Sequence, residues 1–186
     1  VCITISFHKT EMLSDFVTYT KRKNIDIKDN FDLVLKLLLS SSVWFLKYLK
    51  QVNQKIKLAE DNLEKSIKNE ELQALLQIEK CLVFFMTSLK GNDILLHRIK
   101  NIKSQREHFD LDLLEDVEIE LRQAQETTNI YSDILTGTMD AYASVISNNM
   151  NTIMKQMTSI SIILMIPTLI ASLYGMNVPN DLEDNR

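Results

Sequence analysis

Apolar residues through the middle of the chain recur at steps of three and four. Phe31, Val34, Leu37, Leu38, Ser41, Phe45, Tyr48, Leu49, Val52, Ile56, Leu63 and Ile67 keep this rhythm, the spacing of one stripe on an amphipathic helix, and predict a long helix from Phe31. Lys68-Asn69-Glu70-Glu71 follows as a turn or a solvated stretch of helix. A second run then continues through Leu72, Leu75, Leu76, Leu82, Phe85, Met86 and Leu89, with Gly91-Asn92 as a cap or bend. A polar connection over about Lys100 to Phe109 leads into the acidic stretch from Asp110 to Glu120. Acidic side chains suit the positive end of a helix dipole, so this stretch is expected to open the last helix. A cation trap is the competing reading, although exposed carboxylate runs are usually a solvated face.

The first residues follow a different period. Val1-Cys2-Ile3-Thr4-Ile5-Ser6-Phe7 alternates large apolar with small or polar residues, as a half-buried strand does. One strand cannot stand alone. Its sheet partners are therefore expected outside these residues, and 1–28 reads as the remnant of a truncated cytoplasmic α/β domain with a helix over Glu11 to Arg22.

The last helix meets no strong breaker from Asp110 to Pro167. Running on to Tyr174, its 65 residues would span about 100 Å at about 1.5 Å per residue. Its far end gives the reason for such length. Gln156 to Asn180 contains 25 consecutive residues without a charge, and about 20 such residues cross a bilayer. A buried core helix is the alternative, because Thr158, Ser159, Ser161, Pro167, Thr168 and Ser172 dilute the apolar run, yet small polar residues and Pro are common in spanning helices that pack on neighbours. Lys155 marks the near side and Asp181, Glu183 and Asp184 the far side, which leaves the helical body cytoplasmic. The expected division is a remnant at 1–28, a helical stalk at 29–155, a first membrane span at 156–176 and the start of an outer loop at 177–186. The fold class is mainly α: a long stalk helix continuing into a transmembrane pore helix, with antiparallel helices packed on it.

Steps of four and three from Asp140 pass through Ser144, Ser147, Asn151, Met154, Thr158, Ser161, Met165, Thr168, Ser172 and Gly175, every one small, polar or Met. Ile160, Ile162, Ile163, Leu164, Ile166, Leu169, Ile170 and Leu173 all fall off that line. A seven-residue repeat keeps one seam toward a common axis, so several copies of this helix can surround a narrow polar pore. Close packing of helices through small residues, with no conduit, is the alternative. Asp140 favours the pore, because a carboxylate repeated around an axis repels its copies unless cations sit between them.

Composition narrows the rest. With 45% hydrophobic and 25% charged residues the chain is not of disordered type, and 3 Gly and 2 Pro are too few for the turns of a sandwich or barrel. A net charge of -4, with no basic run interleaved with aromatics, points away from nucleic acid. The charge is uneven: residues 1–109 carry 18 Lys+Arg against 13 Asp+Glu, whereas 110–186 carry 3 against 12, so cations concentrate around the second half. Cys2 and Cys81 match no CxxC spacing and read as buried, inert thiols of a reducing compartment. His8, His97 and His108 form no HExxH arrangement and no Gly-rich phosphate loop exists, so an enzyme is not expected. Asp93 and His97, one helical turn apart, read as surface neighbours rather than a metal pair.

Tyr174-Gly175-Met176-Asn177 directly after an apolar span resembles the signature of the CorA family of magnesium channels. The approach from Ser147 to Thr158, with its Asn-x-x-Met-Lys-x-x-Thr pattern at Asn151, Met154, Lys155 and Thr158, is similar to that family's pore-helix mouth. The likeness extends into the body at Asn69-Glu70-Glu71-Leu72, Glu79-Lys80-Cys81-Leu82-Val83-Phe84-Phe85, Thr87-Ser88-Leu89-Lys90 and Leu113-Leu114-Glu115-Asp116-Val117, so it covers about Phe31 to Pro179. It implies a homopentamer in the cell membrane with a cytoplasmic funnel, carrying hydrated Mg²⁺ and no organic cofactor. By the same resemblance Gly175, Met176 and Asn177 form the outer-mouth selectivity loop. Asn151 and Thr168 are polar rings within the pore, and Met154, Met157 and Met165 the hydrophobic constriction, with Met157 off the strict line. Asp140 matches a regulatory Mg²⁺ position whose partner carboxylate lies in a neighbouring subunit's N-terminal domain.

The departures from the family pattern are at the ends. The chain stops at Arg186 without the second span the family uses, so the polypeptide as written is not expected to conduct. The competing functions are transport of zinc, cobalt or nickel by a relative of the same family, with Met176 favouring magnesium, and a membrane-anchored helical scaffold without transport.

Overall fold

A computed structural model describes residues 10–65, 69–101 and 110–175, and four helices with no strand occupy them: α1 (Glu11–Lys23), α2 (Asn30–Lys65), α3 (Asn69–Asn101) and α4 (Leu111–Tyr174). The helix expected over Glu11 to Arg22 is α1, and the strand read at Val1 to Phe7 lies outside the described residues. The chain divides into two compact units, 1–139 and 140–186.

Polar groups at the helix ends decide where each helix begins or stops. Asn24 ends α1 in the left-handed region (φ 53, ψ 42), which Asn tolerates better than most residues, and its N–H and that of Ile25 donate to the Lys21 and Thr20 carbonyls. Asp29 caps α2 by accepting the Asp32 N–H at 2.8 Å. Asp32 reaches back to accept from the Lys28 N–H at 2.9 Å and pairs with Lys36 at 2.7 Å. Burial alone would push the Asp32 carboxyl up, but the Lys36 ammonium and the Lys28 N–H outweigh it and hold it below the ordinary carboxylate value. Asp110 caps α4, its carboxylate accepting from the Leu113 N–H at 3.2 Å, so the acidic stretch does open the last helix.

Within 1–139, α2, α3 and the first part of α4 bury their apolar stripes against one another. α2 buries Leu35, Leu38, Ser42, Leu49, Val52, Ile56, Ala59 and Leu63 at steps of three, four and seven, with Trp44 buried off that line. α3 buries Leu75, Leu82, Leu89 and Leu96 at strict seven-residue intervals, each no more than 2% exposed. α4 contributes Leu114, Val117, Leu121, Ala124, Thr128 and Leu135. Alternation of three and four along each partner is the pattern that lets side chains of neighbouring helices interlock over many turns. The two buried hydroxyls are satisfied within their own helices, Ser42 donating to the Leu38 carbonyl and Thr128 to that of Ala124. Phe45 and Phe85 meet edge to face at 5.1 Å between α2 and α3.

Two expectations needed correction. Gly91 does not end a helix: α3 runs through it to Asn101, because Leu96 and Ile99 continue the buried stripe and Gly91 does not take a positive φ. Ser42, not Ser41, is the small residue on the buried line of α2, and Leu35 and Ala59 belong to it as well. Asn69-Glu70-Glu71 is the first turn of α3 rather than a connecting turn, with Glu70 exposed, while 66–68 and 102–109 lie outside the described residues.

Leu82→Ala should lower the unfolding free energy by about 2–5 kcal/mol in urea denaturation of the detergent-solubilised protein. Val83→Ala, at a position 57% exposed, should change it by no more than about 0.5 kcal/mol. For Asp32 the depressed pKa fixes the sign: its stabilising effect is present above the ordinary carboxylate value and disappears as pH falls through the lower folded value. The midpoint difference between wild type and Asp32→Asn should therefore be seen at pH 7 and shrink as pH falls below the ordinary carboxylate value of about 4.

Candidate functional site

The second unit, 140–186, is described through Gly175 and is helical to Tyr174. Its side chains are almost all exposed, including Ile160, Ile162, Ile163, Leu164, Ile166, Leu169, Ile170 and Leu173, each between 50% and 66%. The most apolar stretch of α4 has none of its residues buried, so the alternative of a buried core helix does not hold. Eight large aliphatics left in water would be costly, at about 25 cal/mol per Å² of apolar surface, and a lipid or protein environment removes that cost. By length and composition α3 also qualifies as long and apolar enough to span. One face of α3 is bundle core, however, and Lys80, Lys90 and Arg98 stand exposed on the rest of it.

The structure puts Asp140, Asn151, Met154, Met165 and Thr168 on the helix at separations that are sums of steps of four and three, all exposed. In a straight helix such a line drifts by about 20° per seven residues and so stays on one flank for several turns. Met157 stands off it, about 100° from Thr158. Gly175 closes the final turn, its N–H donating to the Ala171 carbonyl at 2.9 Å. A Cβ there would sit 3.3 Å from that carbonyl oxygen, a tight contact. Met176 and Asn177 lie outside the described residues.

Four hydroxyls of this flank share one arrangement. Ser144 donates to the Asp140 carbonyl at 3.0 Å, Thr158 to Met154 at 2.8 Å, Ser161 to Met157 at 2.9 Å and Thr168 to Leu164 at 2.9 Å. A hydroxyl has one hydrogen and two acceptor sites. With the hydrogen committed to the helix's own carbonyl four residues back, what each side chain turns outward is an acceptor. The flank therefore offers oxygen lone pairs to donors such as the water molecules around a cation. Pro167 lacks an N–H, so the Ile163 carbonyl receives no intrahelical bond from it.

A family model described as CorA-like Mg²⁺ transporter protein matches residues 1–182. The chain belongs to the CorA-like family. That family is one of membrane transporters, not of enzymes. Two curated relatives, each a cobalt/magnesium transport protein CorA, are 30% identical over 139 residues (Methanocaldococcus jannaschii; 72% of this chain, 42% of the relative) and 28% identical over 130 residues (Thermotoga maritima; 69% and 37%). The complete structure of the CorA magnesium transporter from M. jannaschii superposes with a TM-score of 0.78 at 25% identity, covering 96% of this chain and 58% of that one. The CorA-like chain thus spans about two fifths of the length of the curated relatives it matches.

Other candidates of the CorA-like chain are plain. Cys81 is half-buried, and burial raises its pKa with Lys55 opposing, so it carries little thiolate; Cys2 lies outside the described residues. His97 and Asp93 are 3.8 Å apart and both well exposed, and the described residues contain no cluster of metal-ligating side chains. One contact was not anticipated from sequence. Thr138 donates to the Glu60 carboxylate of α2 at 2.8 Å. Its only sequence signal is that Thr138 continues the stepping of Leu121, Ala124, Thr128 and Leu135.

Proposed function

We infer that this chain supplies the stalk and pore-lining helix of a membrane transporter for divalent cations, Mg²⁺ foremost, working as a homo-oligomer of five copies. The observation that carries the reading is the flank of α4 on which Thr158, Ser161 and Thr168 give their hydrogens to helix carbonyls while exposed large aliphatics occupy most of the other sides. Mg²⁺ releases its water reluctantly. A conduit for it needs acceptors for the hydrogens of bound water, and rings of hydroxyl and amide oxygens provide them without stripping the ion. Asn177 at the outer mouth, within the Gly175-Met176-Asn177 loop, is the first such ring. Thr168 and Asn151 follow inward. Met154, Met157 and Met165 form an apolar constriction that gates by excluding water.

Asp140 is the acidic group at the inner end of this line. Cytoplasmic Mg²⁺ held there, with a carboxylate from a neighbouring subunit, favours the closed channel. When the ion leaves, the carboxylates repel and the closed arrangement loosens, which is feedback by unequal affinity for two states. The helical body 29–155 then lies in the cytoplasm and 156–176 in the cell membrane. Both curated relatives carry cobalt with magnesium in their names, so Co²⁺ is the second ion of this pathway.

In the full-length protein, Asn177→Ala should abolish Mg²⁺-dependent growth of a host lacking its own Mg²⁺ uptake, with unchanged amounts of protein in the membrane. Growth equal to wild type would leave the chain as a membrane-anchored helical scaffold.

A further inference from the structure

We propose that Thr138 and Glu60 are positioning residues for Asp140, fixing the rotation and height at which α4 presents that carboxylate to a divalent cation. The proposal rests on the cation-pathway reading and adds to it the contact that sets the cation-holding group.

Thr138 differs from its neighbours on α4. Thr128, Thr136, Ser144 and Thr152 all donate to the carbonyl four residues back in their own helix, at 2.7 to 3.0 Å. Thr138 instead donates to Glu60 Oε1 on α2 at 2.8 Å, in a part-buried site between residues 78 apart in sequence. A hydrogen bond to a carboxylate is stronger and more exacting in direction than one between neutral groups.

Its place on the helix gives it leverage. Leu135 is the last buried residue of α4, so the apolar packing that sets the rotation of this helix ends one turn earlier. Gly137, the weakest helix former in the stretch, is exposed and has nothing within 4 Å of where its Cβ would stand. The Thr138 bond therefore fixes α4 beside its most yielding point. Asp140 follows by two residues, about 200° around the helix and about 3 Å along it. The bond holds Thr138 to Glu60 of α2, and Asp140 is exposed. A charged group that must meet a carboxylate of a neighbouring subunit across a cation binds better when its direction is set in advance.

The test uses the full-length protein in proteoliposomes, with Mg²⁺ uptake measured against Mg²⁺ on the cytoplasmic side. Thr138→Val keeps the shape and removes the donor; Thr138→Ser keeps the donor. In Thr138→Val the Mg²⁺ concentration for half-inhibition should rise about threefold or more, with uptake at the lowest Mg²⁺ and the melting temperature unchanged, and Thr138→Ser should match wild type. Half-inhibition in Thr138→Val at the wild-type concentration, or an equal shift in both variants, would overturn the proposal. Should Thr138→Val fold poorly, Glu60→Gln, which keeps an acceptor but loses the charge, should give a smaller shift in the same direction, and no shift would overturn it. Amide hydrogen exchange over 139–146 reads the same bond without transport: it should quicken in Thr138→Val and not in Thr138→Ser, and unchanged exchange would also overturn the proposal. Wild-type protein whose uptake ignores cytoplasmic Mg²⁺ counts instead against the cation-pathway reading of Asp140.

Discussion

A hydroxyl has one hydrogen to give, and in α4 that hydrogen goes to the helix. Thr158, Ser161 and Thr168 each close a bond to the carbonyl four residues back, which satisfies the side chain's donor and leaves the oxygen facing outward as an acceptor. In a bilayer an unmet donor costs several kcal/mol, so this arrangement also lets small polar residues sit among aliphatics without weakening the helix. The same residues can therefore face lipid-embedded neighbours or water, and the oxygens they offer suit the hydrogens of a hydrated cation. The chemistry proposed for the chain follows from that single allocation of protons.

The second constraint is the seven-residue repeat. α3 spaces Leu75, Leu82, Leu89 and Leu96 at that interval and buries all four, and α2 and the first part of α4 answer it with alternating three and four. Such a bundle is rigid because each leucine is held by several neighbours, and replacing one leaves a cavity the helices cannot close. In 140–175 a line of the same period carries small, polar and Met residues, and among the described residues no side chain covers it. One period thus serves packing in one unit and, in the other, leaves a polar flank that the described residues do not cover, which is the reason for proposing that copies of it surround an ion path.

Much of this was legible before any coordinates. The long helices followed from the spacing of apolar residues and the scarcity of Gly and Pro, and the beginning of α4 followed from the acids at Asp110 and beyond. The family followed from Gly175-Met176-Asn177 behind an uncharged run and from the Asn151 to Thr158 approach. What escaped notice depends on the third dimension. Gly91 reads as a breaker, but packing of Leu89, Leu96 and Ile99 on either side of it outweighs about 1 kcal/mol of poor propensity. Ser41 and Ser42 are equivalent in a list and differ by 100° on a helix, which decides that Ser42 is buried. The bond from Thr138 to Glu60 joins residues 78 apart, and the stepping that Thr138 continues does not name its partner.

The central claim is that the line through Ser161 and Thr168 faces water inside the membrane while the opposite side does not. Its most direct measurement is the reaction of single cysteines, placed in a cysteine-free full-length protein in membrane vesicles, with a charged thiol reagent that cannot enter lipid. The account predicts that Ser161→Cys and Thr168→Cys react and are slowed by Mg²⁺, whereas Ile163→Cys and Ile170→Cys, about 200° around the helix from each, do not. Equal reaction on both sides, or reaction at the isoleucine positions alone, would contradict it.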